Sequence, residues 1–145
     1  GSQPVLDAQY AEHGWRGEMA ADDVTIASLI CGLLIDTLLV VNNYRDREAD
    51  ARSGKRTVIV RFGEKFGRYF YLMLGITASL LCLCFLREGH FYAAFLPQLY
   101  LIPHFLTWKR MVKIYSGKKL NSILGETSRN MLLMGILIAI GMLIN

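Results

Sequence analysis

Residues 131–144 read MLLMGILIAIGMLI, fourteen positions without one charged or polar side chain. A helix of this kind is apolar on every face, and such helices belong in a large core or in lipid. Three further blocks, 24–41, 69–86 and 91–108, contain no Lys, Arg or Glu. Crossing about 30 Å of hydrocarbon takes roughly 17–25 mostly apolar residues, a length each block reaches with its flanks. The pattern predicts an all-α, polytopic membrane bundle with transmembrane helices at 24–42, 66–86, 91–109 and 127–144. A soluble four-helix bundle would need an apolar stripe opposite a charged one, and no block has that pattern. With 53% hydrophobic and 19% charged residues, the chain is also not a disordered or nucleic-acid-coating protein. The block at 131 lies at the wrong end to be a signal peptide.

The cationic residues orient the bundle. Eight Lys and Arg lie between the first and second blocks, from Arg45 to Arg68, and six between the third and fourth, from Lys109 to Arg129. Fourteen of the sixteen thus fall in two alternate connections, and retained cytoplasmic loops carry the positive excess. Residues 43–65 are therefore expected as a cytoplasmic motif loop, with both termini outside. Residues 1–22 are acidic, contain Gly and Pro, and are expected as an exterior loop. An exterior start with no export signal before it reads as the C-terminal part of a longer membrane domain, with 1–145 inside that single domain.

Within the blocks, Gly32, Gly75, Gly135 and Gly141 are read as close-approach positions. Pro97 and Pro103 are expected to kink the third span. Cys31, Cys82 and Cys84 suggest neither a metal site nor a disulfide. His104 reads as a satisfied packing residue, whereas Asp36 is an acid inside a span and a candidate for a supporting role.

The chemistry-bearing stretch closes the first block: VVNNYRDREADARSGKRT, residues 40–57. If the helix continues past the membrane edge, Asn42, Asp46 and Asp50 recur every four residues and share one face, with about 6 Å per step. Hard oxygen ligands so spaced suit Mg²⁺, which takes one or two carboxylates and shares its remaining positions with water and substrate phosphate. Arg45, Lys55 and Arg56 beside them are the cations that diphosphate oxygens need, and Gly54 is expected to turn the last two back toward the acids. The plainer reading is a solvated juxtamembrane helix whose acids pair with Arg45, Arg47 and Arg52. An EF-hand is excluded by its missing Gly and Glu positions.

The run VVNNYRDREADARSGKRTVIVRFG closely resembles the second aspartate-rich motif of the UbiA superfamily of intramembrane prenyltransferases, and LNSILGETSRNMLL is similar to the family's C-terminal helices. The Asn-Asn-x-Arg-Asp-x-x-x-Asp core with Gly-Lys-Arg-Thr is most similar to the menaquinone-biosynthesis branch. The resemblance implies a nine-helix bundle, of which this chain supplies the last four helices. It implies Asp46 and Asp50 as catalytic Mg²⁺ ligands, Asn42 assisting them, and Arg45, Lys55 and Arg56 holding diphosphate. It further implies an enzyme of the bacterial cell (inner) membrane that transfers a polyprenyl group from polyprenyl diphosphate to 1,4-dihydroxy-2-naphthoate, with no nucleic-acid partner. The family's first motif, Asn-Asp-x-x-Asp-x-x-x-Asp, is absent from the 145 residues, so upstream helices of the same protein are expected to complete the site. Alternatives are another aromatic acceptor, or a non-enzymatic module such as a transporter half or assembly subunit. The non-enzymatic alternative leaves the Asn42, Asp46 and Asp50 ladder unexplained. A CDP-alcohol phosphotransferase would need an Asp-Gly and Ala-Arg pattern that residues 24–41 lack.

Overall fold

The computed structural model describes the backbone of residues 3–144 and the side chains of residues 23–144 apart from Glu88. Among these residues the chain is helical and has no strand. The elements are α1 (Gln3–Arg45), α2 (Arg47–Ser53), α3 (Val58–Phe62), α4 (Glu64–Cys82), a 3₁₀ turn (Leu83–Glu88), α5 (Phe91–Phe95), a second 3₁₀ stretch (Leu96–Tyr100), α6 (Leu101–Ile114) and α7 (Leu120–Ile144). Three segments are long and apolar enough to cross a membrane: Asp23–Arg45, Glu64–Arg87 and Leu120–Ile144. At 1.5 Å per residue, their 23–25 residues extend about 35 Å, enough for the hydrocarbon layer with some tilt.

Several boundaries differ from the sequence reading. Backbone helix begins at Gln3, so residues 3–22, expected as a loop, are helical. A proline at the first turn forfeits only an N–H that has no helical partner there, so Pro4 does not prevent this. The 43–65 connection, also expected as a loop, is mostly short helices. Gly54 and Gly63, both with positive φ, separate them. The last helix starts at Leu120 rather than near 127 because LNSILGETS contains no breaker stronger than one Gly.

The third expected span, 91–109, is present as a path but not as one helix. Pro97 sits at the start of the 3₁₀ stretch that divides it, as its missing N–H requires. In a three-residue turn Pro97 would have served the Ala94 carbonyl; the side-chain amide of Gln98 donates there instead (3.1 Å) and also to the Ser79 carbonyl on α4 (2.7 Å). Broken helix is tolerated at membrane depth when side chains satisfy the freed backbone in this way.

The crossings alternate in direction. At the end away from the motif, the turn after α4 is fixed to α1 by His90 and Asp23 (3.1 Å), and Gly141 of α7 lies against the Ala93 backbone, where any Cβ would collide. At the motif end, α1, α3, α4, α6 and α7 share a core that includes Val41, Tyr44, Ile59, Tyr71, Met111 and Ile123. A second core around Ile30, Ala78, Phe85, Ala94, Tyr100 and Met134 fills the other half. Between them runs a polar layer. Tyr71 bonds Thr127 (2.9 Å), His104 bonds Tyr100 (3.1 Å) and the Leu72 carbonyl (3.1 Å), and Asn130 donates to Thr107 (3.0 Å) and to the Pro103 carbonyl (3.3 Å). His104 is thus the satisfied packing residue expected of it. Cys31, Cys82 and Cys84 are free thiols. Asp36 differs from the interior position usual for an intramembrane acid: it is exposed on α1 and has no hydrogen-bond partner among the described residues.

Candidate metal-diphosphate site

The Asn42–Asp46–Asp50 ladder survives a break in the helix. Asp46 leaves helical geometry at φ −92°, ψ 7°. Its N–H nevertheless reaches the Asn42 carbonyl (3.1 Å), and the Asp50 N–H reaches the Asp46 carbonyl (2.8 Å). The four-residue stacking that places these side chains on one face therefore continues from α1 into α2.

Arg45 is tied into the ladder rather than standing apart from it. Its Nε and Nη2 donate to the two Asp46 oxygens (2.9 and 3.1 Å), Nη2 also donates to Asn42 Oδ1 (2.6 Å), and Nη1 donates to Asn121 Oδ1 on α7 (2.8 Å). This forked contact, with Lys55 adding positive charge nearby, holds the Asp46 carboxyl below the usual carboxylate range. The pairing of an acid with Arg45 is part of what the plainer sequence reading anticipated. Asp50 is different. Its Oδ2 is buried without a hydrogen-bond partner.

Gly54, at φ 81°, ends α2 in the left-handed conformation and returns its N–H to Ala51 and Asp50 carbonyls. The chain then presents Lys55 and Arg56, together with Arg61, around a cavity of about 370 Å³ that Ala51, Gly54 and Val60 complete. Thr57 caps α3, its Oγ1 accepting from the Val60 N–H (3.2 Å), so this residue of the Gly-Lys-Arg-Thr run shapes the loop.

The donors fit Mg²⁺. A buried carboxylate oxygen with no partner is an acceptor awaiting a cation, and a second carboxylate and an amide oxygen lie along the same face. No three His, Cys, Asp or Glu side chains among the described residues group closely enough to form a metal site alone. A Mg²⁺ ion held here would take the rest of its shell from water and substrate phosphate, and would share Asp46 and Asn42 with Arg45.

Residues 11–143 match the family model described as the UbiA prenyltransferase family. The chain belongs to that family. It is 32% identical over 125 residues to a 1,4-dihydroxy-2-naphthoate octaprenyltransferase of Haemophilus influenzae, an alignment covering 83% of this chain and 40% of the relative. It is 43% identical over 53 residues to the Escherichia coli protein of the same name, covering 37% of this chain and 17% of that one. The chain thus spans well under half the length of these curated relatives. No solved structure matches it significantly.

In this UbiA-family chain the structure also brings forward residues that spacing did not single out. Asn121 reaches Arg45 across 76 positions of sequence, and nothing in KKLNSIL announces it. Arg61 completes the basic cavity. Arg47 is the largest surprise: a cation only 8% exposed. Its signal was present in the sequence as Tyr44 three residues earlier, a spacing that stacks an arginine on an aromatic ring within one helix turn.

Proposed function

We propose that these residues form one wall of a Mg²⁺-dependent prenyl-transfer site. The reaction transfers a polyprenyl group from polyprenyl diphosphate to 1,4-dihydroxy-2-naphthoate. Cleavage of the donor's allylic C–O bond releases diphosphate, the ring takes the prenyl group and its carboxylate leaves as CO2, giving demethylmenaquinone in its reduced, hydroquinone form. The observation that carries this reading is the buried, unpartnered Asp50 oxygen, in line with Asp46 and Asn42 and on the same short helix as Ala51, which lines the Lys55, Arg56 and Arg61 cavity. The names of the two relatives support the acceptor and the prenyl donor.

Bound Mg²⁺ would neutralise diphosphate charge and so favour ionisation of the allylic C–O bond. Asp46, Asp50 and Asn42 would hold the metal. Lys55 and Arg56, the latter with a fork suited to phosphate, would hold the diphosphate oxygens. Arg45, which fixes Asp46 and Asn42, would join Lys55 and Arg56 in holding the diphosphate. The surrounding apolar helices keep water from the allylic cation. In the whole protein, a second carboxylate-rich segment opposite this one would complete the metal shell. The setting we propose is a bacterial inner membrane with the motif on the cytoplasmic face, following the distribution of Lys and Arg.

The test uses the full-length protein in membranes, with labelled polyprenyl diphosphate and 1,4-dihydroxy-2-naphthoate, with and without Mg²⁺. Mg²⁺-dependent diphosphate release coupled to formation of a prenylated, decarboxylated naphthalene is the expected result. Turnover with another aromatic acceptor but not this one would correct the substrate. No diphosphate release under any condition would favour the non-enzymatic module.

A further inference from the structure

All three nitrogens of Arg47 are engaged. Nη1 donates to the Tyr44 carbonyl (2.8 Å), Nη2 to the Tyr115 carbonyl (2.8 Å), and Nε faces Glu64 (3.4 Å). The guanidinium also lies over two rings, 4.2 Å from the Tyr44 centroid and 4.9 Å from that of Tyr115. Three separate parts of the chain therefore meet on one cation: the motif helix, the start of α4, and the connection between α6 and α7.

What Arg47 grips is itself strained. Tyr115 has φ 70° and ψ −51°, the one non-glycine residue with positive φ among those described. The Ser116 N–H bonds the Ile114 carbonyl (2.8 Å), closing a γ-turn of the rare, high-energy hand. Such a conformation persists only where its surroundings over-determine it. Here they do: Arg47 takes the carbonyl, and the hydroxyl donates to Glu64 (2.5 Å). Six residues further on, Asn121 accepts from Arg45. Two arginines separated by one residue on the motif thus tether both ends of the 115–121 connection.

We propose that Arg47 is a positioning residue for prenyl transfer: by holding the Tyr115 turn it brings Asn121 to Arg45 and so fixes Arg45 on Asn42 and Asp46. A buried cation used only for packing would not need a strained turn for a partner. A positioning role gives the strained turn a purpose, since the carbonyl that the γ-turn redirects is the one Arg47 uses. The inference rests on the prenyl-transfer reading, but its structural half can be tested without it.

The experiment compares full-length wild type with Arg47→Met, Arg47→Lys and Asn121→Ala at equal amounts of folded, membrane-inserted protein. Rates are measured against polyprenyl diphosphate and against Mg²⁺. Brief trypsin treatment of the cytoplasmic face, read by mass, follows cleavage after the exposed Lys118 and Lys119. Arg47→Met is expected to speed that cleavage several-fold, lower kcat about tenfold and raise the Mg²⁺ needed for half-maximal rate. Arg47→Lys should recover part of each, since an ammonium keeps the charge but lacks the planar fork that reaches both carbonyls and Glu64 from separate nitrogens. Asn121→Ala cuts only the second tether, and should reproduce the Mg²⁺ shift even if Arg47→Met fails to insert. Faster cleavage with unchanged kcat and Mg²⁺ dependence would reduce Arg47 to a structural clamp and overturn the proposal. Unchanged cleavage and kinetics in both Arg47→Met and Asn121→Ala would overturn it entirely. A wild type that transfers no prenyl group would sink the functional reading alone, while the cleavage arm still decides whether Arg47 holds the turn.

Discussion

The imidazole of His104 fills the space that a Cβ on Gly75 would need, with its ring nitrogen and both adjacent carbons against the α4 backbone. It cannot swing aside, because Tyr100 and the Leu72 carbonyl hold its two nitrogens. Gly75→Ala should therefore destabilise the bundle by about 1–3 kcal/mol, the usual cost of overpacking. Gly32 gives the contrast, since a Cβ there meets nothing within 4 Å. Gly32→Ala should be neutral or stabilising by up to about 1 kcal/mol through helix propensity. Thermal unfolding of the full-length protein in detergent separates the two; equal shifts would contradict the packing argument.

The two carboxylates of the ladder should respond differently to substitution. Asp50→Asn removes an acceptor with no protein partner, so turnover should fall on the order of a hundredfold or more. Insertion and thermal stability should hardly change. Asp46→Asn should reduce turnover at least as far, and it also weakens Arg45's grip on Asn121, costing about 0.5–2 kcal/mol of stability. Initial rates against Mg²⁺ and unfolding curves on the same preparations check both. Wild-type activity in either variant would remove that residue from the metal site.

The Tyr115 turn should be sensitive to alkali. The hydrogen bond to Glu64 raises the Tyr115 pKa above its ordinary value. The folded protein therefore keeps this proton where the unfolded chain has lost it. The stabilisation is complete below about pH 10 and declines as pH rises through the higher folded-state value. Asp46 has the opposite sign: its lowered pKa gives stabilisation that is present above about pH 4 and lost on acidification. The difference in Tm between wild type and Tyr115→Phe, measured from about pH 8 to 11, should narrow at the alkaline end. A constant difference would mean that the hydroxyl does not report on the turn.

Gln98→Leu should expose the break in the third crossing. It leaves the Ser79 and Ala94 carbonyls without the amide that serves them. Interhelical hydrogen bonds in membranes contribute about 0.6 kcal/mol on average and up to about 1.7, so a loss of this order is expected. Amide exchange should rise around 96–100 first. Uniform exchange along α5 and α6 would show that the break is satisfied by other means.

Much of the fold is legible in local chemistry. The three uninterrupted crossings follow from runs too apolar for water, and the ladder follows from a four-residue repeat that hydrogen bonds carry through the Asp46 break. The third crossing is legible only in part, because Pro97 announces a break but not that Gln98 satisfies it. What spacing does not reveal are contacts between distant segments. Arg47 meeting Tyr115 and Arg45 meeting Asn121 depend on how α6 and α7 return to the motif. The helical backbone of 3–22 is hidden for a different reason: Gly and Pro mark turns on average, yet a proline in a first turn costs almost nothing.

The last helix is pinned at both ends, at Asn121 by Arg45 and at Gly141 by the Ala93 backbone. Sliding along its axis by a fraction of a turn would break one attachment or drive the other into collision. It therefore works as a strut of fixed length. The third crossing, jointed at Pro97 and closed by a single glutamine amide, is the compliant member beside it. Flexing between the two faces of this bundle would fall at that joint and leave the carboxylate ladder in register.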